Sequence, residues 1–593
     1  MVDLLGQVVK YTDVSGVVSD NNFDPAGRLT KSTTTVKGIA SVITYSWDDA
    51  SQLTSIGLDG NSVATPGYTN AGELASVAYA NGSRLDALGR NSAGVPTALT
   101  WKTKQSTVVD TVTRSRNNRI TDDVITADGT TVATYAYTFD AIGRLVGATV
   151  PHHQLTYRFD GANGCGPAVS AGNNTNRTSY SDVFDGGAPA NTTYCYDNAD
   201  RLLSTSGATA LSFAYDNHGS ATQVGGDQLG YDATNRHIST KTSAGTQVAY
   251  KFDSANRLIA RTVTGAAQQA DNTSTRYGYG SASDSADVIL DANGAMVQRV
   301  VKLPGGVLLT KKYGQSQSTN WSYPNLHGDI LFTADGAGTR SAQIYLYDPY
   351  GQNINPLTGA FGDIPIAATA QGGMDYGYLG EYQRPVEHVA GIQSIEMGVR
   401  TYLPILGRFL QVDPIPGGSA NAYDYVSGDP VNNLDLAGTN DEALTAAELA
   451  ALAALAASGA GTGLAIGIGL GALALALAAD SPTSKGRPNG KDAVAKGDWQ
   501  HVKDDHTELN GKPADPTKGI FEGSEKTIKD RIAKAIEKGF ERSRTDDRRE
   551  FDYDFGERIG REGPGNTKVP NKPRNGIKVV IDKEGKLVTA HPI

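Results

Sequence analysis

At 593 residues the chain is too long for a single hydrophobic core, and two cysteines exclude a disulfide framework while leaving room for one bridge, Cys165 to Cys195. Glycine is abundant at 69 residues and tyrosine at 27, against 4 methionines, a balance that favours short strands and tight turns over helix bundles. The net charge of −10 hides an asymmetry: from Ser481 onward 24 Lys+Arg stand against 20 Asp+Glu, so the tail is mildly basic and the part before it strongly acidic. A basic tail is compatible with a nucleic-acid target.

The N-terminus, Met1-Val2-Asp3-Leu4-Leu5-Gly6, has no basic stretch followed by an apolar one, so no cleavable signal peptide is visible. Self-similarity begins soon after it. An aromatic–Asp pair, two or three small residues and Arg–Leu recur at Phe23-Asp24 to Arg28-Leu29, Phe139-Asp140 to Arg144-Leu145, Tyr196-Asp197 to Arg201-Leu202 and Phe252-Asp253 to Arg257-Leu258. Weaker copies start at Trp47-Asp48, Phe159-Asp160, Tyr215-Asp216, Tyr231-Asp232 and Tyr347-Asp348. Each reads as strand, Asp-initiated turn, strand: Asp bonds the turn through its own side chain, Gly or Asn takes positive φ, and the aromatic and the Leu pack across the hairpin. One hairpin cannot bury its own apolar face, so neighbours must stack into a continuous sheet. Over about residues 20–350 these units resemble the YD repeats of Rhs proteins, teneurins and Tc toxin shells. That resemblance implies a mainly β chain wound as a β-spiral shell, or cocoon.

The stretch Gly398-Val399-Arg400-Thr401-Tyr402, Leu406-Gly407-Arg408-Phe409 to Asp413-Pro414, and Asn421-Ala422-Tyr423 through Asp429-Pro430-Val431-Asn432 to Asp435-Leu436-Ala437-Gly438 resembles the Rhs repeat-associated core. Two carboxylates in a dry pocket can work as an acid–base pair. The resemblance assigns such a pair to self-cleavage just past the core, at Asp413 and Asp435, with Arg408 as the orienting cation. It puts the scissile bond at Gly438–Thr439 or Thr439–Asn440. Asp before Pro or Gly also caps turns, which is the plain structural reading of both residues.

After Gly438 the composition breaks. Residues 441–449 are helix-forming, and 450–479 carry no charge, long enough to cross a bilayer once or to form a helix buried in the shell. The expected division is a repeat shell over 1–374, the core over 375–438, an apolar helical segment over 439–480, a linker over 481–490 and a small α+β domain over 491–593. In that last domain Ile528, Ile532, Ala535 and Ile536 make one helical stripe behind Ser524, and strands are expected at 551–555, 578–581 and 587–592.

The ending Asp-x-x-Gly-Lys-Leu-Val-Thr-Ala-His-Pro resembles the barnase/EndoU/colicin/RelE ribonucleases. The resemblance implies metal-free RNA cleavage without a cofactor. That chemistry needs an acid and a base, for which His501 and His506 are the candidates because histidine titrates near neutrality, with Thr589 as a hydrogen-bond donor and Arg558, Arg561 or Lys578 on the phosphate. A His/Asp metal nuclease using Asp498, Asp504 or Asp505 is the second option. The whole then reads as a secreted or surface-delivered interbacterial toxin whose shell encloses the effector. Its effector acts on tRNA or rRNA in the target cytoplasm, is blocked by an immunity protein and touches membrane transiently through 450–479. A surface adhesion protein and a pore-forming or DNase effector are the competing readings.

Overall fold

The computed structural model describes residues 1–439, apart from 163, 315–316, 363–373, 390 and 416. Beyond them it describes 442–443, 519–521, 527–529, 531–532, 540–544, 548–554, 560–562, 573–574, 576–582 and 587–592. The chain divides into two units, Met1–Ala472 and Leu473–Ile593.

In the first unit 29 described strands, from Lys10–Thr12 to Ile330–Asp335, form one antiparallel sheet in which each strand pairs with the next in sequence. The repeat chemistry explains the register. Phe23 lies opposite Leu29, Phe139 opposite Leu145, Tyr196 opposite Leu202 and Phe252 opposite Leu258, each beside a register shift that sets the turn. Inside the turn one Asp oxygen takes two backbone N–H groups: Asp140 Oδ1 accepts from Ile142 (3.1 Å) and Arg144 (2.9 Å). The Arg side chain does more than the sequence suggests. Arg144 Nε donates to Asp140 Oδ2 (2.7 Å), a second nitrogen caps Gly172 O (2.9 Å), and the guanidinium lies 4.4 Å over the Phe159 ring. Arg257 repeats this on Asp253, Ser281 O and Tyr279. Each repeat is thus riveted to the one after it. Burial would raise the Asp140 carboxyl, but the Arg144 hydrogen bonds outweigh it and hold it below the usual range. Arg144→Ala removes a charge-assisted bond and a stacked cation, and should cost about 2 kcal/mol, read as a lower urea midpoint of the intact chain.

The sheet winds back on itself, so later strands pack on earlier ones. Tyr279 N donates to Asp13 Oδ2 (2.9 Å), Lys311 pairs with Asp59 (2.6 Å), Trp101 Nε1 donates to Pro324 O (2.9 Å) and Leu326 N to Asp110 Oδ2 (2.6 Å). Tyr79, Trp101, Tyr323 and Phe332 fill the seam, with the last two stacked at 4.6 Å. The core motif continues the winding: Arg261 on Glu387, Arg384 on Asp284 and Asn421 on Asn174 O tie it to the strands beneath.

One repeat departs from expectation. Phe159–Asp160 starts no hairpin turn: after His153–Arg158 the chain leaves the meander and returns at Ser179–Phe184, with a short 3-10 turn Ala171–Asn174 between. Asp160 N is bonded to Thr178 Oγ1 instead, and the excursion is tied to the sheet by a Cys165–Cys195 disulfide.

In the second unit, strands Phe540–Arg544, Arg548–Asp554, Gly576–Asp582 and Leu587–Pro592 form an antiparallel sheet, and Gly519–Phe521, Gly560–Glu562 and Pro573–Arg574 form another. Residues 527–529 and 531–532 are helical, with Ile528 and Ile532 fully buried, as are Val579 and Ala590. The helical expectation for 439–480 needs correcting at its start: Glu442–Ala443 pairs as a strand with Asn433–Leu434, so backbone bonding to the core replaces helix there. The rest of 444–480, the linker 481–490 and the expected residues Ser524, Ala535 and Ile536 lie outside the described residues. No helix among the described residues is long and apolar enough to cross a membrane.

Candidate functional site

The hairpin Ser394–Met397 to Arg400–Leu403 and the short strand Arg408–Phe409 belong to a five-stranded sheet that also contains Met374–Asp375 and Val386–Glu387. This sheet carries Arg400, which is 1 % exposed. The guanidinium reaches four groups. One nitrogen sits 2.9 Å from Asp413 Oδ2 and 2.9 Å from Asp435 Oδ2, Nε donates to Gly438 O at 2.7 Å, and the third nitrogen donates to Ala422 O at 3.3 Å. Its face lies 3.7 Å from the Phe409 ring centre. Burial pulls the Arg400 guanidinium below its usual value, and the charges of Asp435 and Asp413 oppose that pull.

Both carboxylates are buried, and each has a second task. Asp435 Oδ1 accepts the Thr439 N–H at 2.9 Å. Asp413 Oδ1 accepts the Ile415 N–H (2.8 Å), and Ser419 Oγ donates to Oδ2 (3.3 Å). Glycine is required at two points. Gly438 has φ +66°, and a Cβ there would collide with Met397 O. A Cβ at Gly418 would collide with Thr439 O and lie 3.2 Å from Asp413 Oδ2, so the Asp413 loop presses against the Thr439 carbonyl. The segment from Asp435 to Thr439 is further held by Val399 N to Ala437 O (3.0 Å) and by the 433–434 to 442–443 pairing.

The peptide bond Gly438–Thr439 is therefore gripped at both ends: its carbonyl oxygen by a cation, its nitrogen by a carboxylate. A guanidinium on the carbonyl stabilises negative charge building on that oxygen. A carboxylate on the nitrogen is placed to carry the proton an amine needs on leaving, and a second carboxylate alongside can take the proton of an attacking water.

Asp413 and Asp435, expected from the sequence, are thus brought together. Arg408 is not the orienting cation: it donates to Asn176 Oδ1 (2.8 Å) and Asp200 O (2.6 Å) and lies over Tyr196 and Tyr423. Its side chain is engaged by the strands beneath the core, and the arginine that contacts both carboxylates is Arg400. Arg400 stands in the core motif as Arg408 does, so the motif marks both arginines without choosing between them; the register places Arg400 opposite Met397. Of the expected nuclease residues, Lys578 lies opposite His591 and Thr589 opposite Val580 on neighbouring strands, and Arg561 lies opposite Ile520 in the other sheet. His501, His506 and Arg558, with Asp498, Asp504 and Asp505, lie outside the described residues.

No known protein-family profile matches the chain. Among curated proteins, the tRNA3(Ser)-specific nuclease WapA of Bacillus spizizenii is 29% identical over 235 residues, covering 38% of this chain and 9% of that protein. Among solved structures, the crystal structure of TcdB2-TccC3 covers 74% of this chain and 24% of its own, with TM-score 0.55 and 15% identity. That of TcdB2-TccC3-Cdc42 covers 74% and 22%, with TM-score 0.54 and 16% identity. The chain spans about a tenth of the curated relative and about a quarter of the solved chain. The β fold over about three quarters of the chain is shared with TcdB2-TccC3.

Proposed function

We propose that this chain is part of an Rhs-type polymorphic toxin acting between bacteria, in which a β shell carries a C-terminal effector and the Asp413–Arg400–Asp435 cluster cuts Gly438–Thr439 to free it. The observation that carries this reading is Arg400 Nε on Gly438 O together with Asp435 on Thr439 N–H. In the step, water adds to the Gly438 carbonyl carbon as Asp413 takes its proton. Arg400 steadies the oxyanion, the C–N bond breaks, and the Thr439 nitrogen leaves with the proton that Asp413 took from water, relayed through Asp435, so that both carboxylates end as they began. The shared fold and the similarity to a protein named as a tRNA nuclease favour the toxin reading over adhesion. The Cys165–Cys195 bridge fits a chain delivered through an oxidising compartment.

For the effector, we infer a metal-independent ribonuclease acting on tRNA or rRNA, using His501, His506 and Thr589 with Arg558, Arg561 or Lys578 on the phosphate, and held in check by an immunity protein. Similarity to a protein named as a tRNA nuclease supports a nuclease effector. The test is expression of 491–593 in bacteria, wild type beside His501→Ala and Thr589→Ala, with total RNA resolved on a gel. Growth arrest with fragmented RNA, relieved in the variants, is expected. Intact RNA with cut DNA would make it a DNase. Unimpaired growth with folded protein would return the question to adhesion or to a pore formed by 450–479.

A further inference from the structure

A second pair of carboxylates lies in the shell wall, away from the cleavage cluster. Asp110 is on strand Thr107–Arg114 and Asp123 on Ile120–Ala127. In the register Asp110 faces Ile125 and Val112 faces Asp123, so the two acids are diagonal neighbours on one face of the sheet. Asp110 is 0 % exposed, and neither Asp110 Oδ1 nor Asp123 Oδ1 meets a donor. The two side chains are nonetheless within hydrogen-bonding reach of each other. Two carboxylates can bond in this way only if one of them keeps a proton.

The surroundings reinforce this. The charge of Arg114, at the end of the same strand, favours an ionised Asp110, whereas Asp329 adds further negative charge from the turn opposite. The adjoining cavity is lined by Asp123, Asp329, His327 and Asp348, and by tyrosines from Thr130–Phe139 (Tyr135, Tyr137) and from later segments (Tyr345, Tyr347, Tyr378). His327 Nδ1 lies 3.1 Å from Asp329 Oδ1. Burial pushes both Asp110 and Asp123 above the usual carboxylate range, and Asp348 up to about 6.

The pair also stands at a junction. Asp110 Oδ2 takes the N–H of Leu326 in the 325–329 turn, where the later winding crosses the earlier one. The same turn holds the core through His327 Nε2 and Pro430 O (2.9 Å), while Ile120 N donates to Asn432 Oδ1 (2.6 Å) and Arg119 faces Asp429 (3.4 Å). Residues 429–432 lead directly to Asp435.

We propose that Asp110 and Asp123 form a single-proton site that latches the two windings of the sheet, and the core segment 429–432 with them, closed while one proton is shared and loosened when it is lost. The sign follows from linkage. A carboxyl that binds its proton more tightly folded than unfolded favours the folded state at low pH, and this advantage falls away as pH rises past the ordinary Asp value near 3.8 toward the raised folded value. Asn at 123 supplies an N–H donor to Asp110 without needing a proton.

The test uses the full chain. Unfolding of wild type and Asp123→Asn is followed from about pH 5 to pH 8, and the difference between them is read because Asp348 and His327 titrate in both. Relative to the variant, the wild-type unfolding equilibrium is expected to move toward unfolding as pH rises, by at most about tenfold per pH unit and only until the shared proton is lost. Infrared spectra of the wild type at neutral pH should show a protonated carboxylic-acid carbonyl band that the variant lacks, a readout that does not depend on the variant's stability. Parallel pH profiles with no such band would overturn the proposal. So would stabilisation of the wild type by magnesium or calcium that a chelator reverses, since a cation would then hold the pair.

Discussion

Arg400→Ala is expected to cost about 3–5 kcal/mol of stability, because it leaves two buried carboxylates facing each other with no cation between them. Asp413 and Asp435 each lie 2.9 Å from one Arg400 nitrogen and are 8 % and 0 % exposed, so water cannot replace the lost guanidinium. Arg400→Lys separates charge from shape. It keeps a cation in the pocket but not the planar fork that reaches Gly438 O and both acids together. Lys should therefore recover part of the stability and little of the cleavage. The measurement is the urea midpoint of the three chains at neutral and acid pH. Acid, which neutralises the bared carboxylates, should narrow the gap between Ala and wild type; a gap of equal size at both pH values would argue that Arg400 acts through packing on Phe409 alone.

Asp435→Asn and Asp413→Asn should each slow release of the C-terminal fragment by about 10²–10⁴-fold, the usual worth of a positioned acid or base. The two substitutions fail differently. Asn at 435 can still accept the Thr439 N–H through its amide oxygen, so the peptide stays in place but the leaving nitrogen receives no proton from it. Asn at 413 can still accept the Ile415 N–H, but it cannot take a proton from water and gives up the ion pair with Arg400. Both variants also remove one negative charge beside Arg400, so their folding should be checked by thermal unfolding before rates are compared.

Much of the shell was legible because its rule is local. An Asp bonding the N–H groups two and four residues on needs only a short stretch of sequence, and Asp24, Asp140, Asp197 and Asp253 all do so. What stayed hidden was that other side chains do the same job. Thr69 and Asn91 build equivalent turns, so repeats lacking Asp escaped notice. Phe159–Asp160 carried the local signal but not the turn, because the excursion to Cys165 and back overrides it. At the site, Asp413 and Asp435 could be named from their motif, yet which of Arg400 and Arg408 would orient them could not. The two arginines stand eight residues apart in one small sheet, and only the winding onto Asn176 and Asp200 commits Arg408 elsewhere. The acid pair in the wall was silent in sequence, since two aspartates in ordinary strands become neighbours only through the register of Thr107–Arg114 with Ile120–Ala127.

The most direct measurement of the central claim is the intact mass of the purified full chain after incubation, wild type beside Asp435→Asn, with the N-terminal residue of any fragment identified. The expected result is a wild-type C-terminal fragment that begins at Thr439, absent from the variant. A wild-type chain that stays whole at 62.2 kDa, or a fragment that begins elsewhere and forms equally in the variant, would contradict it.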